Sequence, residues 1–264
     1  MDDVLKKIYA AKAEHLAVEM AREPYDAMRD RALASVASRR PFVAALRAQS
    51  GGAIIAEIKR ASPSAGLIAR DFDPVAIAKV YQGAGADAIS ILTESDHFLG
   101  DLNFVPTVRS IVKLPLLRKD FLSTPYQVAQ SAAYGADCIL LIVGGLTDEQ
   151  LAACFEEARR YELDVLVEVH DARDLERALR FDVQLVGVNN RNLRTMITDL
   201  AVSEHVLPRV PEGVFAISES GMRNLDDLER LRRAGARGFL IGEALMRSED
   251  PAELIASLKR VHAH

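Results

Sequence analysis

Lysines and carboxylates stand at the ends of apolar runs throughout this chain. In "PLLRKDFL", Pro115 to Leu122, a Leu-Leu run stops at Arg118, Lys119 and Asp120 and resumes at Phe121. Unpaired charges are costly to bury, so these three are not expected inside a buried strand. Comparable endings are Glu57 with Lys59, Thr93-Glu94, Glu168 with His170, Asn189-Asn190 and Glu219-Ser220. Residues two apart in a strand share a face, which groups Glu57 with Lys59 and sets Lys119 opposite Arg118 and Asp120. Ammonium groups beside carboxylates are the makings of acid–base catalysis. A lysine has a second use, as the neutral amine of Schiff-base chemistry, which needs a pKa lowered by burial or by a nearby cation. Glu57, Glu168 and Glu219 favour the ammonium form of Lys119 and Lys59 opposes it, so the balance leans towards a proton donor. His170 shares a face with Glu168 and is read as structural.

Two later runs carry a different signal. "SESGM" and "IGEALM" place Gly221 and Gly242 just past their apolar cores. Glycines there expose backbone N–H groups, and a short helix after the last run can aim its N-terminus at an anion. Arg191 can add a bidentate phosphate contact and Ser62, in "ASPSAG", a hydroxyl. The expected ligand is a phosphorylated small molecule.

These groups need a scaffold that brings strand ends together. About eight short apolar runs follow residue 53, among them "AIIAEIKR", "AISILTE", "CILLIV", "DVLVEVH" and "GFLIGEAL". Segments with helical spacing separate most of them, as in "LDDLERLRRAGA". Asp73-Pro74, Thr124-Pro125 and Asp250-Pro251 mark helix starts, and Thr147 with Gln150 fits a capping box. Gly85, Gly135 and Gly235 mark helix ends. Strands apolar on both faces, alternating with helices, imply a parallel sheet covered by helices. Eight such units predict an α/β fold, a closed (β/α)8 TIM barrel, with active groups at the C-terminal strand ends. An open doubly wound sheet is the alternative, but "EIKRASPSAG" is not its glycine fingerprint. Residues 1–48 read as an N-terminal helical extension on a single domain spanning 1–264.

Composition excludes several classes. A net charge of −5 argues against nucleic acid as a general partner. No apolar run approaches the roughly 18 residues of a membrane span, and the charged N-terminus does not read as a signal peptide. Cys138 and Cys154 read as buried reduced thiols, without a CxxC or a metal-like cluster, so the expected compartment is the cytoplasm.

In order and spacing, "AEIKRASPSAG", "ISILTE", "LLRKDF", "GVNNRNL", "ISESGM" and "GFLIGEALM" resemble the indole-3-glycerol phosphate synthase family, over essentially the whole chain. The resemblance implies a lyase of tryptophan biosynthesis. It would convert 1-(2-carboxyphenylamino)-1-deoxyribulose 5-phosphate to indole-3-glycerol phosphate, CO2 and water, with no cofactor and no metal. It assigns Lys119 as general acid, and Glu168 and Lys59 as groups for ring closure and dehydration. Glu57, Asn189, Glu219 and Ser220 match the remaining active-site positions, and Ser62, Arg191, Gly221 and Gly242 the phosphate site. Glu243 stands where some relatives have a phosphate-holding serine, so its side chain is expected to point away and only its N–H to contribute. Ala65 replaces a lysine frequent in the family. Phe98, Phe121 and the extension are candidate walls for the aromatic ring, whereas Leu116 suits core packing better. The loop "RASPSAGLIARDF" is expected to be a mobile lid, and other tryptophan-pathway enzymes are possible partners. The competing readings are another phosphosugar enzyme on the same barrel, such as an Amadori isomerase or Schiff-base aldolase, and a metabolite-binding barrel without activity.

Overall fold

Eight of the apolar runs form the strands of one closed parallel barrel in a computed structural model describing residues 4–193 and 195–260. The strands are β1 (Ala53–Ile58), β2 (Ala88–Leu92), β3 (Leu116–Lys119), β4 (Cys138–Ile142), β5 (Asp164–Val169), β6 (Leu185–Asn189), β7 (Phe215–Glu219) and β8 (Gly238–Ile241). Neighbours in sequence are neighbours in the sheet, and β8 closes on β1 with Ala53 opposite Gly238. Residues 1–3, 194 and 261–264 lie outside the description.

Alternation along each strand builds two cores. Ile55, Leu117, Leu140, Leu166, Ile217 and Leu240 fill the barrel interior. Their neighbours Ile54, Ile89, Leu116, Ile139, Val167 and Phe239 pack outwards under the helices. The helix starts follow the sequence. Asp73 accepts from Val75 N and Ala76 N, Thr124 caps Pro125–Ala133, and the Thr147–Gln150 capping box is complete. Gly85, Gly135 and Gly235 have φ of 90°, 88° and 115°, the left-handed conformation that ends a helix before a strand. Among the described residues no helix is long and apolar enough to cross a membrane.

The described residues of the N-terminal extension form three α-helices, α1 (Val4–Arg22), α2 (Tyr25–Ser35) and α3 (Phe42–Arg47). The third is short and follows Pro41, which leaves little periodicity to read. Phe42 and Leu46 of α3 are fully buried in the interior core, and Val43 N donates to Asp164 at the start of β5 (2.9 Å). This helix therefore closes the N-terminal end of the barrel, away from the groups that could do chemistry. At the other end α1 lies against the tip of β3: Tyr9 packs edge-on to Phe121 with ring centroids 5.8 Å apart, and Lys12 reaches Asp120. The segment after β1 folds into a small antiparallel hairpin, Ala61–Ser62 with Gly66–Leu67.

Candidate active site

At the C-terminal ends of the strands lies a cavity of about 590 Å³. At its centre the Lys119 ammonium sits 2.9 Å from Glu219 Oε2 and 3.3 Å from Glu168 Oε2. Glu57 and Lys59 form a second pair, with Nζ 2.5 Å from Oε1. Asn189 also faces the cavity, its Oδ1 accepting from Arg191 N at 3.0 Å. Ser220 and Gly221 follow β7 with φ of 65° and 84°; glycine takes this conformation freely and serine rarely does. The twelve residues that the sequence assigned to catalysis or phosphate binding all line this one cavity.

The three residues of the β3 ending divide as alternation predicts. Lys119 points inwards, while Arg118 and Asp120 join a buried network on the outside. Asp120 accepts from Lys12 (2.9 Å), Thr93 Oγ1 (2.7 Å), Arg118 (3.0 Å) and its neighbour Phe121 N (2.8 Å). Burial alone would raise its pKa, but Lys12 and Arg118 outweigh burial and hold the carboxyl far below the usual range. Thr93-Glu94 is a structural ending: Thr93 serves Asp120, and Glu94 accepts the backbone N–H groups of Asp96, His97 and Phe98. Asn190 turns outwards to Ser218 and Ser203, and His170 bonds the carbonyl of Arg191 at 2.6 Å.

Electrostatics separates the central groups. Burial disfavours the Lys119 ammonium, but Glu219, Glu168 and Glu57 outweigh it and hold its pKa well above the ordinary value. Glu168 is also buried, yet Lys119, His170 and Asn189 keep it below the usual carboxylate value, so it is an anion at neutral pH. Glu219 behaves differently. Burial and the nearby Glu168 and Glu57 charges prevail over Lys119 and push it up to about 7. Oε1 of Glu168 and Oε1 of Glu219 are buried without a hydrogen-bond partner among the described residues, leaving acceptor positions free.

The raised Glu219 value fixes the sign of a pH effect. A group whose folded pKa lies above its unfolded value stabilises the fold below the unfolded pKa, and that contribution is lost as pH rises through the folded one. Wild type should therefore lose stability relative to Glu219→Gln between about pH 5 and 8. Urea unfolding across that range measures it, and a difference with the opposite slope contradicts the assignment.

The cavity edge at Arg191 departs from expectation at one residue. The Glu243 side chain does not point away. Its Oε2 lies 3.3 Å from Arg191 and its Oε1 3.2 Å from Arg247, so two guanidinium groups draw the carboxylate along the cavity edge. Arg191 also donates to Ser64 of the hairpin, beside Ser62.

The family model described as indole-3-glycerol phosphate synthase matches residues 5–258. The chain belongs to the indole-3-glycerol phosphate synthase family. A relative of that name from Laribacter hongkongensis is 47% identical over 262 residues, covering 98% of this chain and 99% of the relative. Another, from Azospirillum brasilense, is 44% identical over 253 residues, covering 95% and 96%. Among solved structures, a thiamine phosphate pyrophosphorylase from Pyrococcus furiosus superposes with a TM-score of 0.62 at 16% identity, covering 80% of this chain and 96% of that one. A 3-hexulose-6-phosphate synthase gives 0.60 at 16%, covering 80% and 100%. At such identity these two speak for the barrel alone.

Several residues that line the cavity escaped the strand-end reading. Leu193, Met196 and Thr198, on the loop after β6, complete the wall with Phe98 and Phe121. Loop residues without periodicity carry no signal of where they fold back. Lys12 was equally silent, because its partner Asp120 is 108 residues away. Leu116 belongs to the outer core, in keeping with its apolar type and strand position.

Proposed function

We infer that this chain closes the indole ring of 1-(2-carboxyphenylamino)-1-deoxyribulose 5-phosphate, acting as a carboxy-lyase with Lys119 as the proton donor. The observation that carries the assignment of Lys119 is its position: an ammonium held charged by Glu219 and Glu168 at the centre of the cavity. Lys119 donates to the ketone oxygen as the carboxylate-bearing ring carbon attacks the ketone carbon. The C–COO⁻ bond then breaks, CO2 leaves, and its electrons restore the aromatic ring. The new hydroxyl departs as water after a second proton reaches its oxygen, and a base removes the remaining proton to complete the indole. Glu168 and the Lys59–Glu57 pair supply the acids and bases of this dehydration. The steps require only proton donors and acceptors.

Phe98, Phe121 and Leu193 offer the substrate ring an apolar wall, with Tyr9 of α1 packed behind Phe121. Arg191, Ser62, Gly221 and Gly242 take the phosphate. Arg191 must then exchange Glu243 for the phosphate. Glu243→Ser should lower KM about two- to fivefold with kcat unchanged, the scale of a partly exposed ion pair. Steady-state kinetics decides it; an unchanged or higher KM would show that Glu243 does not compete.

The Schiff-base alternative needs a neutral amine at Lys119, and three carboxylates oppose that. Incubating the enzyme with substrate and borohydride separates the two. The expected result is unmodified Lys119 and the appearance of indole fluorescence; a covalent adduct on Lys119 overturns the acid role.

We treat 1–264 as one domain, because Lys12 and Arg40 tie the extension to Asp120 and Asp137. The cytoplasm is its proposed compartment: Cys138 and Cys154 are free and buried, as suits a reducing environment. Enzymes that supply its substrate and consume its product in tryptophan biosynthesis are its proposed partners. The loop 60–72 is proposed to act as a lid, because it carries Ser62 and Ser64 to the cavity and Arg191.

A further inference from the structure

Gly187 lies in the middle of β6, a place where a β-branched side chain is the ordinary choice. Its backbone does not require glycine, since it is absent from the positive-φ residues. Its register explains it better. Gly187 stands directly across from Glu168 on β5, and its own face of the sheet looks into the barrel between Glu168 and Glu219. A methyl group built on Gly187 would sit 3.0 Å from Glu219 Cδ and 3.0 Å from Leu166 Cδ1, and closer still to Glu219 Oε1. The space a side chain would fill is occupied by the Glu219 carboxylate. The same device recurs at the second ion pair. A methyl on Gly242 would lie 2.9 Å from Glu57 Cδ and 3.0 Å from Lys59 Nζ.

We propose that Gly187 is a positioning residue: its missing side chain forms the berth in which the Glu219 carboxylate lies against Lys119. The proposal rests on the reading of Lys119 and Glu219 as part of the catalytic machinery. A methyl at position 187 drives the carboxylate out of the berth and into the cavity. Such a shift costs little stability, because the displaced atoms end a flexible side chain with open space beside it. It costs rate, because displacements near 1 Å at a catalytic constellation can reduce turnover by ~10²-fold.

The test is a double-mutant cycle of Gly187→Ala and Glu219→Ala, read as kcat, KM and Tm, with a crystal structure of Gly187→Ala. Gly187→Ala alone should lower kcat about tenfold to a hundredfold, with KM nearly unchanged and Glu219 displaced from Lys119. In the Glu219→Ala background the same substitution should cost less than about twofold, because the carboxylate is gone and only the Leu166 Cδ1 contact at 3.0 Å remains to be relieved. Equal losses in both backgrounds would make Gly187 a packing residue and overturn the proposal. So would a near-normal kcat for Gly187→Ala, or a Glu219 carboxylate unmoved in its crystal structure. Should Gly187→Ala fail to fold, refolding on adding Glu219→Ala supports the steric claim, and misfolding of both sinks it. A Glu219→Ala enzyme at full rate would instead overturn the catalytic reading of Glu219, and the positioning role with it.

Discussion

Lys119→Ala should lower kcat by at least ~10²-fold, the usual scale for one acid–base group, and leave the barrel intact. The size follows from the absence of a substitute. Lys59 is the other cavity lysine, and it is already engaged with Glu57 at 2.5 Å on a different strand. The loss should appear in kcat more than in KM, because the proposed role of Lys119 is to meet the developing charge on the ketone oxygen rather than the phosphate. Removing it leaves Glu168 and Glu219 buried near each other without their cation. Glu219, already pushed up to about 7, then takes a proton readily, which spares the fold. Steady-state kinetics with a circular dichroism control measures both halves. A near-normal rate removes Lys119 from the mechanism.

Glu168→Gln is the second large effect, expected at about 10²-fold or more in kcat. Glutamine keeps the size of the side chain and one carbonyl oxygen for Lys119, but it cannot take a proton. Of the two carboxylates beside Lys119, Glu168 is the one kept below the usual value, so it is present as a base at neutral pH. Its free Oε1 gives it an acceptor position for a substrate proton. KM should stay within about threefold, because the proposed phosphate contacts lie on other loops. If kcat instead remains near normal, the proton transfers pass to the Lys59–Glu57 pair, and Glu168 serves only to hold Lys119 charged.

The sequence was most informative where a simple period met a charge. Period-two alternation set Lys119 on the face opposite Arg118 and Asp120, because a strand end must send successive side chains to opposite faces. The barrel itself was legible because strands and helices each carry a strong period, with proline and glycine marking the boundaries. What stayed hidden depends on contacts between distant segments. Nothing local to Lys12 points to Asp120, and nothing in "LVGVN" shows that the space beside Gly187 belongs to a carboxylate 32 positions on. Glu243 was misjudged for a related reason: its direction is set by Arg191 and Arg247, and the argument from the phosphate alone left them out. Thr93-Glu94 shows the converse. It looked like the other strand ends, but its groups are consumed by a buried network and a loop cap.

A crystal structure with a substrate analogue whose ketone is reduced to an alcohol tests the central claim most directly. The account predicts Lys119 Nζ within hydrogen-bond reach of that oxygen, about 3 Å, with the phosphate on Arg191 and the backbone near Gly221 and Gly242. An analogue bound with Lys119 out of reach of the alcohol, or with its phosphate elsewhere, would contradict it.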